Sequence, residues 1–145
     1  MAKNQLIRDV MTSNPRTVSE SDSVRDAAAI MASEDAGVVP VVDGNKVVGV
    51  ITDRDIVVRL VAEGKDCTTA RVSEAMSRGV KTVREDTAVD EVLRMMGSAQ
   101  IRRVPVVGAN DELVGIVSIG DLAKENKDDK VGQAIENISS APANN

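Results

Sequence analysis

Apolar residues recur along this chain at two spacings, and the switches between them lay out its elements. Val24, Ala27, Ala28 and Met31 fall on one helical face, which predicts a helix over about 23–34 with Asp22 as its N-cap. Residues 38–42 and 46–52 are β-branched runs on either side of Asp43-Gly44-Asn45, the signature of a β-hairpin. Helical spacing then returns in a helix that begins near Asp53, carries Ile56, Val57, Leu60 and Val61, and ends at Gly64. Ahead of these, residues 6–11 predict a short helical turn and Arg16-Thr17-Val18 a brief strand.

The same order then starts again. Asp9-Val10-Met11 returns as Glu74-Ala75-Met76, and Thr17-Val18 as Thr82-Val83. Val39-Pro40-Val41-Val42 returns as Val104-Pro105-Val106-Val107, an offset of 65. Gly49-Val50-Ile51-Thr52 with Asp55 returns as Gly115-Ile116-Val117-Ser118 with Asp121, an offset of 66, so the turn at 108–112 is one residue longer. The second copy predicts a strand at Lys81-Thr82-Val83 and a helix capped by Thr87 that bears Val89, Val92, Leu93 and Met96. Strands at 104–107 and 113–118 and a helix from Asp121 complete it. Continuous Val/Ile runs predict strands covered on both faces. A repeat this regular means one supersecondary unit used twice, the copies burying apolar faces that neither could hide alone. Function is therefore expected where the copies meet. The organisation reads as repeat 1 at 7–64, a polar connector at 65–73, repeat 2 at 74–126 and a polar tail at 127–145. In the tail Val131, Ile135 and Ile138 fall at i, i+4 and i+7, enough for a short amphipathic helix, although a frayed tail is the expected state.

Composition narrows the functional classes. A chain of 145 residues fits one compact domain or two small units sharing a core. It buries roughly 70% of its unfolded surface and needs neither metal nor disulfide to fold. A net charge of −5 without a basic run argues against nucleic acid. No apolar stretch is long enough to cross a bilayer, and the first residues carry no signal-peptide pattern. With Cys67 as the lone cysteine, a reducing cytoplasm is the expected setting. There is no His, so the usual neutral-pH base and zinc ligand are missing. There is no Phe, Trp or Tyr, so a bound purine would have to lie between aliphatic side chains. No nucleophile–base pair and no metal cluster can be assembled from what remains, and an enzyme is not expected.

Two segments carry candidate chemistry: Thr52-Asp53-Arg54-Asp55 and Ser118-Ile119-Gly120-Asp121, each between an aliphatic strand and a helix. A helix start offers free N–H groups and a positive dipole end, which suit a phosphate. The hydroxyl can donate to the same phosphate, and the carboxylate can accept from the vicinal hydroxyls of a ribose. The competing reading is a capping box, in which hydroxyl and acid only satisfy helix-end amides. Thr87-Ala88-Val89-Asp90 has the same pattern with nothing else to recommend it as a site. Lys81, Arg54 and the pair Arg102-Arg103 are basic groups near these segments, and a guanidinium suits phosphate. Gly37-Val38 stand where the second copy has Arg102-Arg103, so the two potential sites differ chemically. The repeated pairs Met11/Met76 and Met31/Met96 read as core, Pro40 and Pro105 as structural, and Asp53 as a helix-start charge.

Together these segments resemble a tandem pair of cystathionine beta-synthase (CBS) domains, a Bateman module of the stand-alone bacterial type, over residues 7–126. The resemblance implies an α+β fold of two β-α-β-β-α repeats related by pseudo-two-fold symmetry, with two clefts between them. It implies a homodimer and a non-catalytic regulatory role, with an adenosine nucleotide (AMP, ADP or ATP) as ligand and a separate effector protein as reader. The first cleft would use Thr52, Arg54 and Asp55 with Val80, Lys81, Ile101, Arg102, Arg103 and Pro105. The second would use Ser118, Gly120 and Asp121 with Asn14, Arg16, Ala36, Gly37, Val38 and Pro40. Asp55 and Asp121 would hold ribose hydroxyls. Thr52, Ser118 and the basic residues would hold phosphate, and Val80, Ile101, Ala36 and Val38 would wall the base. The rival expectation is a structural or interaction homodimer whose clefts stay empty or take only anions.

Overall fold

The computed structural model describes residues 5–125, 132 and 135–138. The chain forms two compact units: Pro15–Val80, the first unit, and Met1–Asn14 with Lys81–Asn145, the second. The sequence repeat opens at 7 and again at 74, whereas the units open at 15 and 81. The reason is strand pairing: the short strand that opens each repeat joins the sheet built from the other copy.

In the first unit, helix α1 (Val24–Glu34) precedes the hairpin of β2 (Val38–Asp43) and β3 (Lys46–Thr52), and helix α2 (Asp53–Ile56) follows directly. Strand β4 (Ser77–Arg78) adds to β3, giving the sheet order β2-β3-β4. The hairpin turns through Gly44 at φ 67°, a conformation that glycine adopts without a Cβ clash. In the second unit β1 (Thr12–Ser13), β5 (Val83–Arg84), β6 (Arg103–Val107) and β7 (Leu113–Ser118) form a sheet ordered β1-β7-β6-β5. Helix α3 (Val89–Ala99) precedes β6, and α4 (Ile119–Glu125) follows β7. Both hairpins slip register at the same place, between Val41 and Val42 and between Val106 and Val107. These helices and strands confirm the α+β reading.

Each unit has its own core. In the first, Val24, Ala27, Ile30 and Met31 of α1 pack with Val39, Val41, Ile51 and Leu60; in the second, Val89, Val92, Leu93 and Met96 of α3 pack with Val104, Val106, Val117 and Leu122. Fully burying a side chain such as Ile51 or Leu93 contributes about 1.5–3 kcal/mol. The repeated glycine of each β3/β7 strand has a packing cause. A Cβ at Gly49 would strike the Ser77 carbonyl and the Met76 methyl, and one at Gly115 would strike the Met11 sulfur and the Thr12 carbonyl. The repeated Gly and Met are therefore one device that seats β4 on β3 and β1 on β7.

Several expectations need correction. Ser23, not Asp22, caps α1, accepting from Asp26 N at 3.1 Å, while Asp22 accepts from Ser19 N at 2.8 Å. On α1 Ile30 is buried and Ala28 is exposed. Thr87 is not a cap: α3 starts at Val89 with Ala88 at the N-cap and no side-chain bond. The strand expected at 16–18 reduces to a single parallel bridge from Val18 to Val41, and that at 81–83 to β5 beginning at Val83. After Ile56 the helix widens into a π-helical turn over Val57–Val61, in which Ala62 N donates to Val57 O at 2.8 Å. The widening keeps Leu60 buried but turns Val57, Val58 and Val61 outward, at 55%, 46% and 58% exposure. Residues 135–138 are helical rather than frayed. Ile138 joins the second core, and Gln100 Nε2 donates to Asn137 O at 3.2 Å. Val131 lies outside the described residues.

Candidate functional site

Buried Ile51 and Val117 carry each hairpin straight into a helix, so Thr52 and Ser118 stand at the N-cap by construction. Thr52 has extended backbone, φ −116° and ψ 161°, and its Oγ1 accepts from Asp55 N at 3.0 Å. In return Asp55 Oδ2 accepts from Thr52 N at 2.9 Å. Ser118 and Asp121 do the same: Asp121 N donates to Ser118 Oγ at 3.0 Å, and Ser118 N donates to Asp121 Oδ2 at 3.0 Å. Both segments are reciprocal capping boxes, so the competing reading of the motif is realised in the protein. One carboxylate oxygen in each is thereby committed to a backbone amide.

The preceding strand meets each helix start in the same way. Val38 pairs with Thr52, and Asp53 N donates to Gly37 O at 3.0 Å. Arg103 pairs with Ser118, and Ile119 N donates to Arg102 O at 2.8 Å. The first unit therefore joins Thr52, Arg54 and Asp55 to Ala36 and Gly37, which lead into β2, and to Val38 and Pro40 of that strand, and also holds Arg16 and Val80. The second joins Ser118, Gly120 and Asp121 to Ile101, Arg102, Arg103 and Pro105, and also holds Asn14 and Lys81. Arg54, Lys81, Arg102, Arg103 and Gly120 are exposed, whereas Pro40 and Pro105 are buried, as expected of structural residues. Arg16 donates to Ser33 Oγ at 3.3 Å.

The chemistry of the two helix starts differs. The Asp53 carboxylate covers Gly37, where an added Cβ would lie 3.0 Å from its Oδ2. The matching place in the second unit holds Arg102 and Ile119, basic and apolar. Sequence reasoning missed two further groups. Ser77 Oγ donates to Asp55 Oδ1 at 3.3 Å, and Arg59 Nε lies 3.9 Å from the same oxygen. The spacing Asp55-x-x-x-Arg59 is the signal that could have found the pair, since residues four apart face each other on a helix. Among the described residues, Asp121 has no hydrogen bond or ion pair beyond its capping box.

The sequence profile of the CBS domain matches residues 7–62 and 72–137. The chain belongs to the CBS domain family. As a CBS pair it is similar to the uncharacterized protein YlbB of Bacillus subtilis, 40% identical over 136 residues covering 92% of this chain and 90% of that one. It is also similar to hypoxic response protein 1 of Mycobacterium tuberculosis, 34% identical and covering 94% and 95%. Among solved structures, Hypoxic Response Protein I with two coordinated zinc ions superposes with a TM-score of 0.76 at 34% identity, covering 84% of this chain and 99% of that one. CBSX2 in complex with AMP gives 0.71 at 28% identity, covering 83% and 94%. The CBS domain pair of MJ0100 in complex with 5′-methylthioadenosine and S-adenosyl-L-methionine gives 0.73 at 34% identity, also covering 83% and 94%.

Proposed function

We propose that this CBS pair is a non-catalytic regulatory module that takes an adenosine-containing ligand of the AMP, ADP or ATP class at its two repeated helix starts, Thr52–Asp55 and Ser118–Asp121. Ligand binding shifts its conformation, and a separate effector protein reads the shift. The observation that carries this reading is Asp121: its carboxylate is fixed by Ser118 through one oxygen, and the other is left without a partner among the described residues. A fixed carboxylate with a vacant oxygen suits a ribose diol. Arg102 and Arg103, both exposed and anchored beside the same helix start, supply charge for phosphate. Adenosine ligands in CBSX2 and in the MJ0100 pair support the same class. The zinc of Hypoxic Response Protein I does not carry over, because this sequence has no His and a single Cys. The outward Val57, Val58 and Val61 provide apolar surface for a homodimer.

One observation favours a second reading, a structural or interaction homodimer with empty or anion-filled clefts: both motifs already work as helix caps. Calorimetric melts with AMP, ADP, ATP and S-adenosylmethionine separate the two, intrinsic fluorescence being ruled out by the lack of aromatics. A rise in Tm with at least one adenosine compound supports the sensor. Melts unmoved by the whole panel favour the structural module.

A further inference from the structure

Resting on the ligand reading above, we propose that Arg59 and Ser77 are positioning residues that compete with the ligand for Asp55. Occupancy of the first motif is thereby passed to the segment through which the chain leaves the first unit. Asp55 is only 13% exposed at its side chain, and the Ser77 hydroxyl reaches both its oxygens, Oδ1 at 3.3 Å and Oδ2 at 3.5 Å. Oδ2 accepts from Thr52 N and holds the cap. Oδ1 accepts from Ser77 Oγ at 3.3 Å and faces Arg59 Nε at 3.9 Å. The same guanidinium reaches on through its NH1 nitrogen, donating to Met76 O at 2.7 Å and to Ala75 O at 3.3 Å. Arg59 thus ties the Asp55 carboxylate to Ala75 and Met76, and the Ser77 hydroxyl ties it to the next residue, so that 75–77 are all held at this carboxylate. These lead into β4, then Gly79 at φ 67°, then Val80, the last residue of the unit.

A ribose diol that engages Asp55 meets the Ser77 hydroxyl at either oxygen, and at Oδ1, the oxygen outside the cap, it also meets Arg59. Binding therefore displaces the Ser77 hydroxyl and draws the carboxylate away from Arg59, which loosens the hold on residues 75–78. Among the described residues, the second unit shows no such wiring. By the repeat offsets, Thr12 stands for Ser77 (77 − 65) and Glu125 for Arg59 (59 + 66), and a glutamate cannot donate to carbonyls. The first motif is accordingly the one whose occupancy is reported along the chain.

Amide exchange of the full-length protein, with and without saturating AMP, tests this, alongside calorimetric titration of AMP into the same samples. In the wild type, AMP speeds exchange of residues 75–81. In Arg59→Met exchange there is already fast without AMP, AMP adds only the smaller change that comes from displacing the Ser77 hydroxyl, and AMP affinity rises by about threefold, the scale of an exposed ion pair. Ser77→Ala, which removes only a hydroxyl, lies between the two. If AMP binds but leaves 75–81 unchanged in the wild type, or changes it equally in Arg59→Met, the coupling is wrong while the ligand reading stands. If calorimetry detects no AMP binding in the wild type, the ligand reading fails and the coupling with it.

Discussion

The two helix starts share a cap and differ in what stands behind it. At Thr52 the carboxylate of Asp55 is engaged on both oxygens, by a backbone amide on one and by Ser77 and Arg59 on the other. At Ser118 the carboxylate of Asp121 carries the cap alone among the described residues, and the neighbouring strand brings Arg102 and Arg103 where the first unit brings Gly37 under Asp53. Duplication preserved the element that folds each unit and let the surrounding charges diverge. The capping box and the ligand reading are not exclusive, because a cap uses one oxygen of a carboxylate that has two.

The sharpest way to break this comparison is to remove each acid. Asp121→Ala should weaken AMP by about 10- to 100-fold in calorimetric titration, the effect of losing charge-assisted hydrogen bonds worth ~1.5–3 kcal/mol. Asp55→Ala should cost less than tenfold, because its outer oxygen is already shared; equal losses would erase the distinction. The packing of the units, by contrast, should respond alike. Gly49→Ala and Gly115→Ala each force a methyl against a backbone carbonyl and a methionine, and each should lose about 1–3 kcal/mol in urea unfolding. A cost confined to one unit would show that the glycines are not equivalent.

Charge provides the next contrast. Arg102→Ala or Arg103→Ala should weaken ATP by about tenfold, or 1.4 kcal/mol, while adenosine changes little. Equal losses for both ligands would remove the phosphate role. The smallest effect belongs to the shared element: Thr52→Ala and Ser118→Ala should each cost about 1 kcal/mol of stability through the lost cap. A much larger cost at Thr52 would mean that the Ser77–Arg59 side stiffens the whole helix start.

Much of this was legible in the residues. The 65- and 66-residue offsets exposed the duplication, and β-branched runs around Asp43-Gly44-Asn45 marked the hairpin whose end positions Thr52. The helix caps were misplaced by one residue at Asp22 and Thr87 because several polar groups near a helix start can each serve, and only backbone geometry selects among them. Ile56, Val57, Leu60 and Val61 follow helical spacing, but the π-helical turn breaks the 3.6-residue period and leaves Val57 and Val61 exposed. The opening strands were hidden for another reason. Ser77-Arg78 and Thr12-Ser13 are polar two-residue edges, recognisable only once Gly49 and Gly115 have made room for them. Ser77's link to Asp55 depends on that long-range pairing, and no local pattern announces it.

The most direct test compares AMP binding to Asp121→Asn and Asp55→Asn by calorimetric titration, side by side with the wild type. Asparagine keeps a carbonyl for the capping amide and removes the charge that would hold a ribose. Asp121→Asn should lose tenfold or more in affinity and Asp55→Asn less, and both should retain wild-type melting behaviour to within about 1 kcal/mol. AMP binding unaltered by either substitution would contradict a ribose-holding role for these carboxylates.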